Sequence, residues 1–376
     1  TILMGPGSEV EWYKEKIGKR FGYTSQGGIK KHLGITYELK MDDEEQPLWE
    51  LTANKLIQDI IDRFKEATGK SPKDSDLPAT PGHTTLKHDG DPIQPSDYRS
   101  IVGKIMYLVV KLMPEGANAA RELSRQFGNP SKEHWKELEK FVGYLNKNPE
   151  VKLTIRRPKE LRAAGMFDSN FASNPIDRKS VSAHDITIGG ALVDWGSKTQ
   201  PTVATSTTEA EYQSLAAGTG GIRHAQYLLE EIAQNDLPGV ACEDNDAAAF
   251  MVKNSQVSQR TKHIDVKYHY IRELGERGLV EPIRVDSENN NSDCHTKNLP
   301  KALFVKHREA FRSGRNYIYE NWEDIVLSVR NGMPNNGQRE DVEDFTIRYV
   351  HSIESEILSV HRTDLVNYDY YVDIEE

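Results

Sequence analysis

Four carboxylates stand at places where a folded chain presents side chains at the ends of its elements. Asp168 follows the apolar pair Met166-Phe167, and Asp244 follows the strand-like run Val240 to Glu243, so both sit at strand ends. Glu211 falls in the first turns of a helix that opens at Ser206, and Asp293 falls where a last helix begins after a run of Asn and Ser. Carboxylates suit hard divalent cations such as Mg²⁺, which take oxygen donors and keep several waters. Two such ions roughly 4 Å apart can make a nucleophile from water at neutral pH and neutralise both the attacking and the leaving oxygen of a phosphodiester. Hydrolysis of a phosphate ester is therefore the chemistry these positions could do. One such acid taken alone reads as a solvated surface residue. Each belongs to a different element, so only a folded domain assembles them.

The elements that must position them change character along the chain. From Leu161 the texture is β-rich: Met166-Phe167, then Val181 to Val193 with Gly189-Gly190 marking a bend, then Thr202 to Thr205. Ser206 and Glu209, three apart, form a capping-box signature for a helix running to about Ile232. A strand at Val240 to Glu243, a short helix, a helix from Ile264 to Glu276, a strand from Val280 to Val285 and a final helix follow. Strands and helices in this order make an α/β layered domain.

Upstream, Val10, Tyr13, Ile17 and Phe21 recur at helix spacing, and His32 to Leu39 reads as a strand after the Gly27-Gly28 break. Leu56, Ile60, Ile61 and Phe64 mark a second helix with Thr52 available as its cap. Residues 68–97 are rich in Pro, Gly, Asp, Ser and Thr and form a long connection. Tyr98 to Leu112 and Ser131 to Leu145 read as two helices of a small helical region.

Composition narrows the class. A chain of 376 residues has room for two or three cores, and 37% hydrophobic with 28% charged residues describes a globular protein. The longest apolar candidate, Ile101 to Met113, is interrupted by Lys104 and Lys111, so membrane insertion is not expected. Cys242 and Cys294 supply neither a disulfide framework nor a zinc site, which fits a reducing intracellular compartment. The net charge of −10 is uneven: from Arg315 onward there are 14 acidic and 5 basic residues, leaving 44 against 43 before it. The excess negative charge, which would repel a phosphate backbone, sits in the tail.

The runs FDSNFASNPIDRKSVS, VATSTTEAEYQSLAA, CEDNDAAAFMVKN, RTKHIDVKYHYIRE and SDCHTKNLP resemble, in order and approximate spacing, the ribonuclease H domain of copia-type LTR retrotransposon Pol polyproteins. PSDYRSIVGKIMYLVV and NPSKEHWKELEKFVGYL resemble the connection segment of the same polyproteins, and GGIKKHLGITYEL resembles the segment after the reverse-transcriptase palm. The resemblance implies an α/β fold with a ribonuclease H-like mixed five-stranded sheet and flanking helices. A reverse-transcriptase thumb- and connection-like α+β region would precede it, and an acidic extension would follow. The expected division is 1–76 for the end of the palm and a thumb-like region, 77–160 for the connection-like helices, 161–314 for the ribonuclease H-like domain and 315–376 for the extension.

By the same resemblance Asp168, Glu211, Asp244 and Asp293 are the catalytic, metal-binding carboxylates, holding two Mg²⁺ ions with Mn²⁺ as an alternative. The implied reaction is cleavage of the RNA strand of RNA–DNA hybrids. Glu209 rivals Glu211, because residues two apart cannot share a helix face. Arg260, Lys262, His263 and Lys267 are candidates for contacting the hybrid, or else the polar side of an amphipathic helix.

Several features depart from the family or remain open. Asn170 stands where the family commonly has Asp, and Asp246 where it has Gln; neither is expected to hold metal. His295, beside Asp293, reads as a surface histidine or as a proton-transfer group. Lys14, Lys16, Lys19, Arg20, Lys30 and Lys31 form a basic cluster that reads as solvated surface or a relic of primer-template contact. Trp135 and Trp195 read as core or interface aromatics. Ser206, His184 and Asp185 suggest no serine-hydrolase triad, since no Gly-flanked nucleophile turn is present. The chain starts past where the polymerase YVDD turn would lie, so polymerisation is not expected from it alone. The tail has no counterpart in the resemblance, yet Tyr317, Tyr319, Trp322, Phe345, Tyr349 and a helix-like run from Ile353 to Val360 give it apolar content. A tail of this kind suits protein contacts, and the alternative to a nuclease is a domesticated, non-catalytic scaffold subunit of a larger assembly.

Overall fold

A turn at Leu33-Gly34, both with positive φ, splits the expected strand near His32 into a hairpin. The computed structural model describes residues 2–3, 7–21, 27–84, 90–244, 265–332 and 372–373. Contacts divide the chain into two compact units, Thr1–Tyr37 with Met333–Glu376, and Glu38–Gly332. In the first, β1 (Ile2–Leu3) pairs antiparallel with Val372–Asp373, and α1 spans Gly7–Gly18. There too, β2 (Lys31–His32) pairs antiparallel with the first residues of β3 (Ile35–Met41).

The second unit begins with a pair of strands that the apolar pattern did not reveal. β4 (Pro47–Thr52) runs straight into α2 (Asn54–Thr68), so Thr52 ends a strand and Ala53 is the N-cap, without a side-chain cap bond. Ile57, Ile60, Ile61 and Phe64 are buried along α2, and Gly69 closes it in the left-handed conformation. α3 (Pro95–Leu112), α4 (Ala117–Ser124) and α5 (Lys132–Lys147) complete the helical layer. Proline at the start of α3 costs no helix hydrogen bond there. Trp135 of α5 stacks on Phe64 with ring centroids 6.0 Å apart, a packing role as expected. β5 (Lys152–Arg156) then returns to pair antiparallel with β4, Leu51 opposite Leu153.

Beyond it the five-stranded mixed sheet of the expected α/β fold forms. β6 (Ala163–Asn170), β7 (Val181–Ile188) and β8 (Ala191–Thr199) make an antiparallel meander. The run Val181 to Val193 is thus two strands, folded at Gly189-Gly190. Both glycines have positive φ, as a two-residue hairpin turn that matches strand twist requires. Thr202–Thr205, expected as a strand, is none; Pro201 interrupts the chain, and Thr205 is engaged in capping α6 (Thr207–Ala233). β9 (Gly239–Glu243) lies parallel to β6, and after α7 (Asp265–Glu276), β10 (Val280–Arg284) lies parallel to β9. The spatial order is β10-β9-β6-β7-β8.

α6 crosses this sheet, and Phe167, Ile186, Tyr212, Leu215, Ile222 and Ala241 fill the layer between them. Full burial of one such side chain contributes roughly 1.5–3 kcal/mol. Gly218 makes the approach possible, since a Cβ there would lie 2.0 Å from Phe167 Cε1. On the chain's way out, α8 (Asp293–Thr296), α9 (Lys301–Ser313), α10 (Tyr317–Glu320) and α11 (Trp322–Gly332) follow. The first part of the acidic extension is therefore part of this unit: Trp322, Ile325, Val326 and Val329 are buried, and α11 packs on β10. The helix-like run at Ile353 to Val360 lies outside the described residues, as do Phe345 and Tyr349.

Candidate metal centre

β6 and β9 are neighbours and parallel, with Met166 opposite Cys242. Two residues further along each chain come Asp168 and Asp244. Side chains alternate along a strand with period two, so equal spacing from a paired position carries both acids to the same side of the sheet, just past the last β6–β9 pair. Glu211 reaches them from the first turns of α6. That end of the helix is pinned by Ser214, whose hydroxyl contacts the Asp168 carbonyl at 2.7 Å and the Ala183 carbonyl at 3.1 Å. One carboxylate oxygen from each of Asp168, Glu211 and Asp244 lies within 4.8 Å of the other two.

Glu209 cannot compete for this place. Its carboxylate accepts from the Thr205 amide at 2.7 Å, from the Thr205 hydroxyl at 2.6 Å and from Gln213 Nε2 at 3.2 Å. Its own amide donates to Ser206 Oγ at 3.1 Å, so Ser206 and Glu209 are consumed in starting the helix. Glu211 is the reverse case: its Oε2 is buried with no hydrogen-bond partner.

Asp293, the fourth expected acid, stands beside the trio. Its Oδ1 accepts from Lys297, one turn on, and Lys297 Nζ lies 3.7 Å from Asp168 Oδ2. Thr296 Oγ1 donates to Asp168 Oδ2 as well. Asp293 is thus joined to Asp168 through a lysine, while Glu211 and Asp244 have no ion pair among the described residues. Arg260, Lys262 and His263 lie outside the described residues; Lys267 lies in α7 at a position whose side chain is not described.

Electrostatics follow from this crowding. Burial pushes the Asp168 carboxyl well above its ordinary range; Asp293 and Asp244 add to the shift, and Lys297 and Thr296 oppose it. Burial also raises Glu211, followed by the charges of Asp168 and Asp244. Burial disfavours the charged Lys297, but Asp168 and Asp293 outweigh it and its pKa is pushed up to about 12.

The loop carrying Asp293 and Lys297 is fastened by buried polar groups that the sequence did not announce. Asn290 Nδ2 donates to the Phe167 carbonyl at 2.6 Å, and its Oδ1 accepts from Ser292 Oγ at 2.6 Å. His295, expected on the surface, is fully buried: its Nε2 is 2.7 Å from Asp185 Oδ1 and its ring stacks on Phe311. An imidazole in this place ties α8 to β7, where a surface position would leave the buried Asp185 carboxylate without that partner. Asn298 is held by Asn118 Nδ2 at 2.9 Å, by the Gly82 amide at 2.9 Å and by the His83 carbonyl at 2.7 Å. Of these residues, His295, Thr296, Lys297 and Asn298 fall in the run SDCHTKNLP, whose sequence alone assigns Thr296 and Lys297 no role, and Asn290 lies just before it. Asp185 is taken by His295 and His184 lies 3.3 Å from Asp194, so no triad with Ser206 forms.

Three carboxylates with an unpartnered buried oxygen fit a hard divalent cation, since ionised acids so close repel one another unless a positive charge joins them.

Comparison with known proteins finds relatives over most of the chain. The chain is 30% identical over 300 residues to the retrovirus-related Pol polyprotein from transposon TNT 1-94 of Nicotiana tabacum, covering 77% of this chain and 22% of that protein. It is 28% identical over 282 residues to the corresponding polyprotein from transposon RE2 of Arabidopsis thaliana, covering 73% of this chain and 19% of that one. The chain therefore spans about a fifth of the length of these relatives. Among solved structures, LC11-RNase H1 in complex with RNA/DNA hybrid is 14% identical, covers 36% of this chain and 94% of its own, and gives a TM-score of 0.27. No protein-family model matches the chain.

Proposed function

From the premise that this chain is a homologue of copia-type retrotransposon Pol polyproteins with a ribonuclease H-like sheet, we propose that it is a metal-dependent endonuclease for the RNA strand of RNA–DNA hybrids. The observation that carries the reading is the meeting of Asp168, Glu211 and Asp244, with one oxygen of each inside 4.8 Å. Asp168, Glu211 and Asp244 would hold one Mg²⁺, and Asp168 with Asp293 a second. Bound there, the ions supply an activated water and neutralise charge building up on the scissile phosphate.

The protein's own residues position this chemistry. Parallel β6 and β9 fix Asp168 and Asp244 side by side, and Ser214 fixes the height of Glu211 above them. Asn290 and the His295–Asp185 pair set Asp293 against β6. Such rigid preorganisation matters because the cost of gathering like charges is met on folding and not at each turnover. Arg260, Lys262, His263 and Lys267 are assigned in this reading to the phosphates of the hybrid.

A second reading has its own observation. Lys297 already places a positive charge between Asp168 and Asp293, as a scaffold that had given up metal would need. In that reading the protein is a non-catalytic subunit that holds other proteins through its acidic extension. One assay separates the two: the full chain is incubated with a labelled RNA–DNA hybrid and Mg²⁺ beside Asp244→Asn. Cleavage by the parent and its loss in the variant establish the nuclease. No cleavage by either overturns the nuclease and favours the scaffold.

A further inference from the structure

We propose that Lys297 is a tethered cation of the acidic cluster, occupying the side between Asp168 and Asp293 so that a second divalent ion enters only by displacing it. The inference rests on the metal-binding reading above. It starts from an asymmetry in the site. Glu211 and Asp244 have no ion pair among the described residues, and Glu211 Oε2 has no hydrogen-bond partner. Asp168 Oδ2 and Asp293 Oδ1, by contrast, are already engaged, by Thr296 and Lys297 on the first and by Lys297 on the second.

The charges make the two sides unequal. Four carboxylates against one ammonium leave three negative charges at full ionisation. One divalent ion among Asp168, Glu211 and Asp244 reduces that to one. A second ion beside an undisplaced Lys297 would make the centre positive and would sit against an ammonium at contact distance, which a low-dielectric site penalises strongly.

Displacement is built in as well. The anchor of Lys297 is fixed: its amide donates to the Asp293 carbonyl at 3.2 Å, and the next residue, Asn298, is held by Asn118, Gly82 and His83. Its side chain, however, is 42% exposed, so the ammonium can turn to water on its four-carbon stem without disturbing α8. Lys297 thus keeps the acids from flying apart when the second ion is absent and yields when it arrives. It is a positioning residue for the cluster.

The test is calorimetric titration of MnCl₂ into the full chain without nucleic acid, for the parent, Lys297→Met, Lys297→Gln and Lys297→Arg. The parent is expected to take one ion tightly and a second at least about tenfold more weakly. Removing the charge in Lys297→Met and Lys297→Gln should tighten the second step about tenfold, while Lys297→Arg keeps the parental pattern. Thermal unfolding in EDTA should show both neutral variants less stable than the parent, with the difference removed by saturating MnCl₂. If Lys297→Met does not fold, Lys297→Gln, with its polar head, decides by the same readout. A second step unchanged or weakened in the neutral variants overturns the inference and leaves the metal-binding reading standing. Failure of the parent and every variant to bind Mn²⁺ overturns both.

Discussion

Glu211→Gln should stabilise the metal-free protein, an effect opposite to that of most substitutions at buried positions. Two carboxylate oxygens 4.8 Å apart repel by roughly 3.5 kcal/mol at an effective dielectric of about 20, and Glu211 faces two such neighbours. The folded protein escapes part of this by keeping Glu211 protonated. Burial, then Asp168 and Asp244, hold its pKa above the ordinary glutamate value. A group whose folded pKa is raised contributes fully below its unfolded pKa and loses that contribution as pH climbs through the folded value. The loss at pH 7 is bounded by the cost of holding one proton against an unfolded pKa of about 4.3, which is about 3.7 kcal/mol; at pH 5 the bound falls to about 1 kcal/mol. Glutamine has nearly the shape of the protonated acid and no charge to lose. Urea unfolding of the full chain in EDTA should therefore show Glu211→Gln about 2–4 kcal/mol more stable than the parent at pH 7 and within about 1 kcal/mol at pH 5. Saturating Mg²⁺ should stabilise the parent and do much less for the variant. A variant no more stable than the parent at pH 7, or one whose gain is the same at both pH values, would refute the claim that these acids repel one another.

Other expectations are simpler to read. Asp168→Asn should slow hybrid cleavage by at least about 10²-fold while the protein stays folded, checked by single-turnover rates and far-UV circular dichroism. Glu209→Ala should cost about 1 kcal/mol through loss of the helix cap and leave Mn²⁺ affinity at the parental value; a matching loss of metal binding would move the ligand role from Glu211 to Glu209. His295→Ala should destabilise by about 1–3 kcal/mol or more, because Asp185 loses its buried partner. Combining it with Asp185→Asn should recover part of that loss, and strict additivity in the double-mutant cycle would show that the pair is not coupled.

What could be read from the sequence was whatever local chemistry decides. The capping box at Ser206 and Glu209 located the start of α6, and hence the height of Glu211, because both signals sit within one turn. The strand end before Asp244 was visible as an apolar run giving way to acids, whereas Asp168, expected at a strand end too, lies inside β6, whose pairing with β7 carries it on to Asn170. The third strand was misplaced because Val181 to Val193 reads as one β-rich run with a bend at Gly189-Gly190, and positive φ at both glycines shows that the bend is a full hairpin reversal. β4 and β5 were missed since each finds its partner about a hundred residues away, a pairing no local period encodes. His295 was assigned to the surface because its partner Asp185 lies on a strand far earlier in the chain; a buried polar pair leaves no trace in hydropathy. Lys297 was overlooked for the same reason, since its meaning depends on where Asp168 arrives.

The grip of Asn118, Gly82 and His83 on Asn298 bears on how this protein can be dissected. Cutting the gene at the start of β6 would yield a shorter polypeptide carrying all four acids, yet the hinge that seats Asp293 and its lysine would lose its outer clasp. α4 and the connection ahead of α3 act as a brace for the acidic cluster, so a fragment that keeps the cluster in place has to begin well upstream of the first acid it contains.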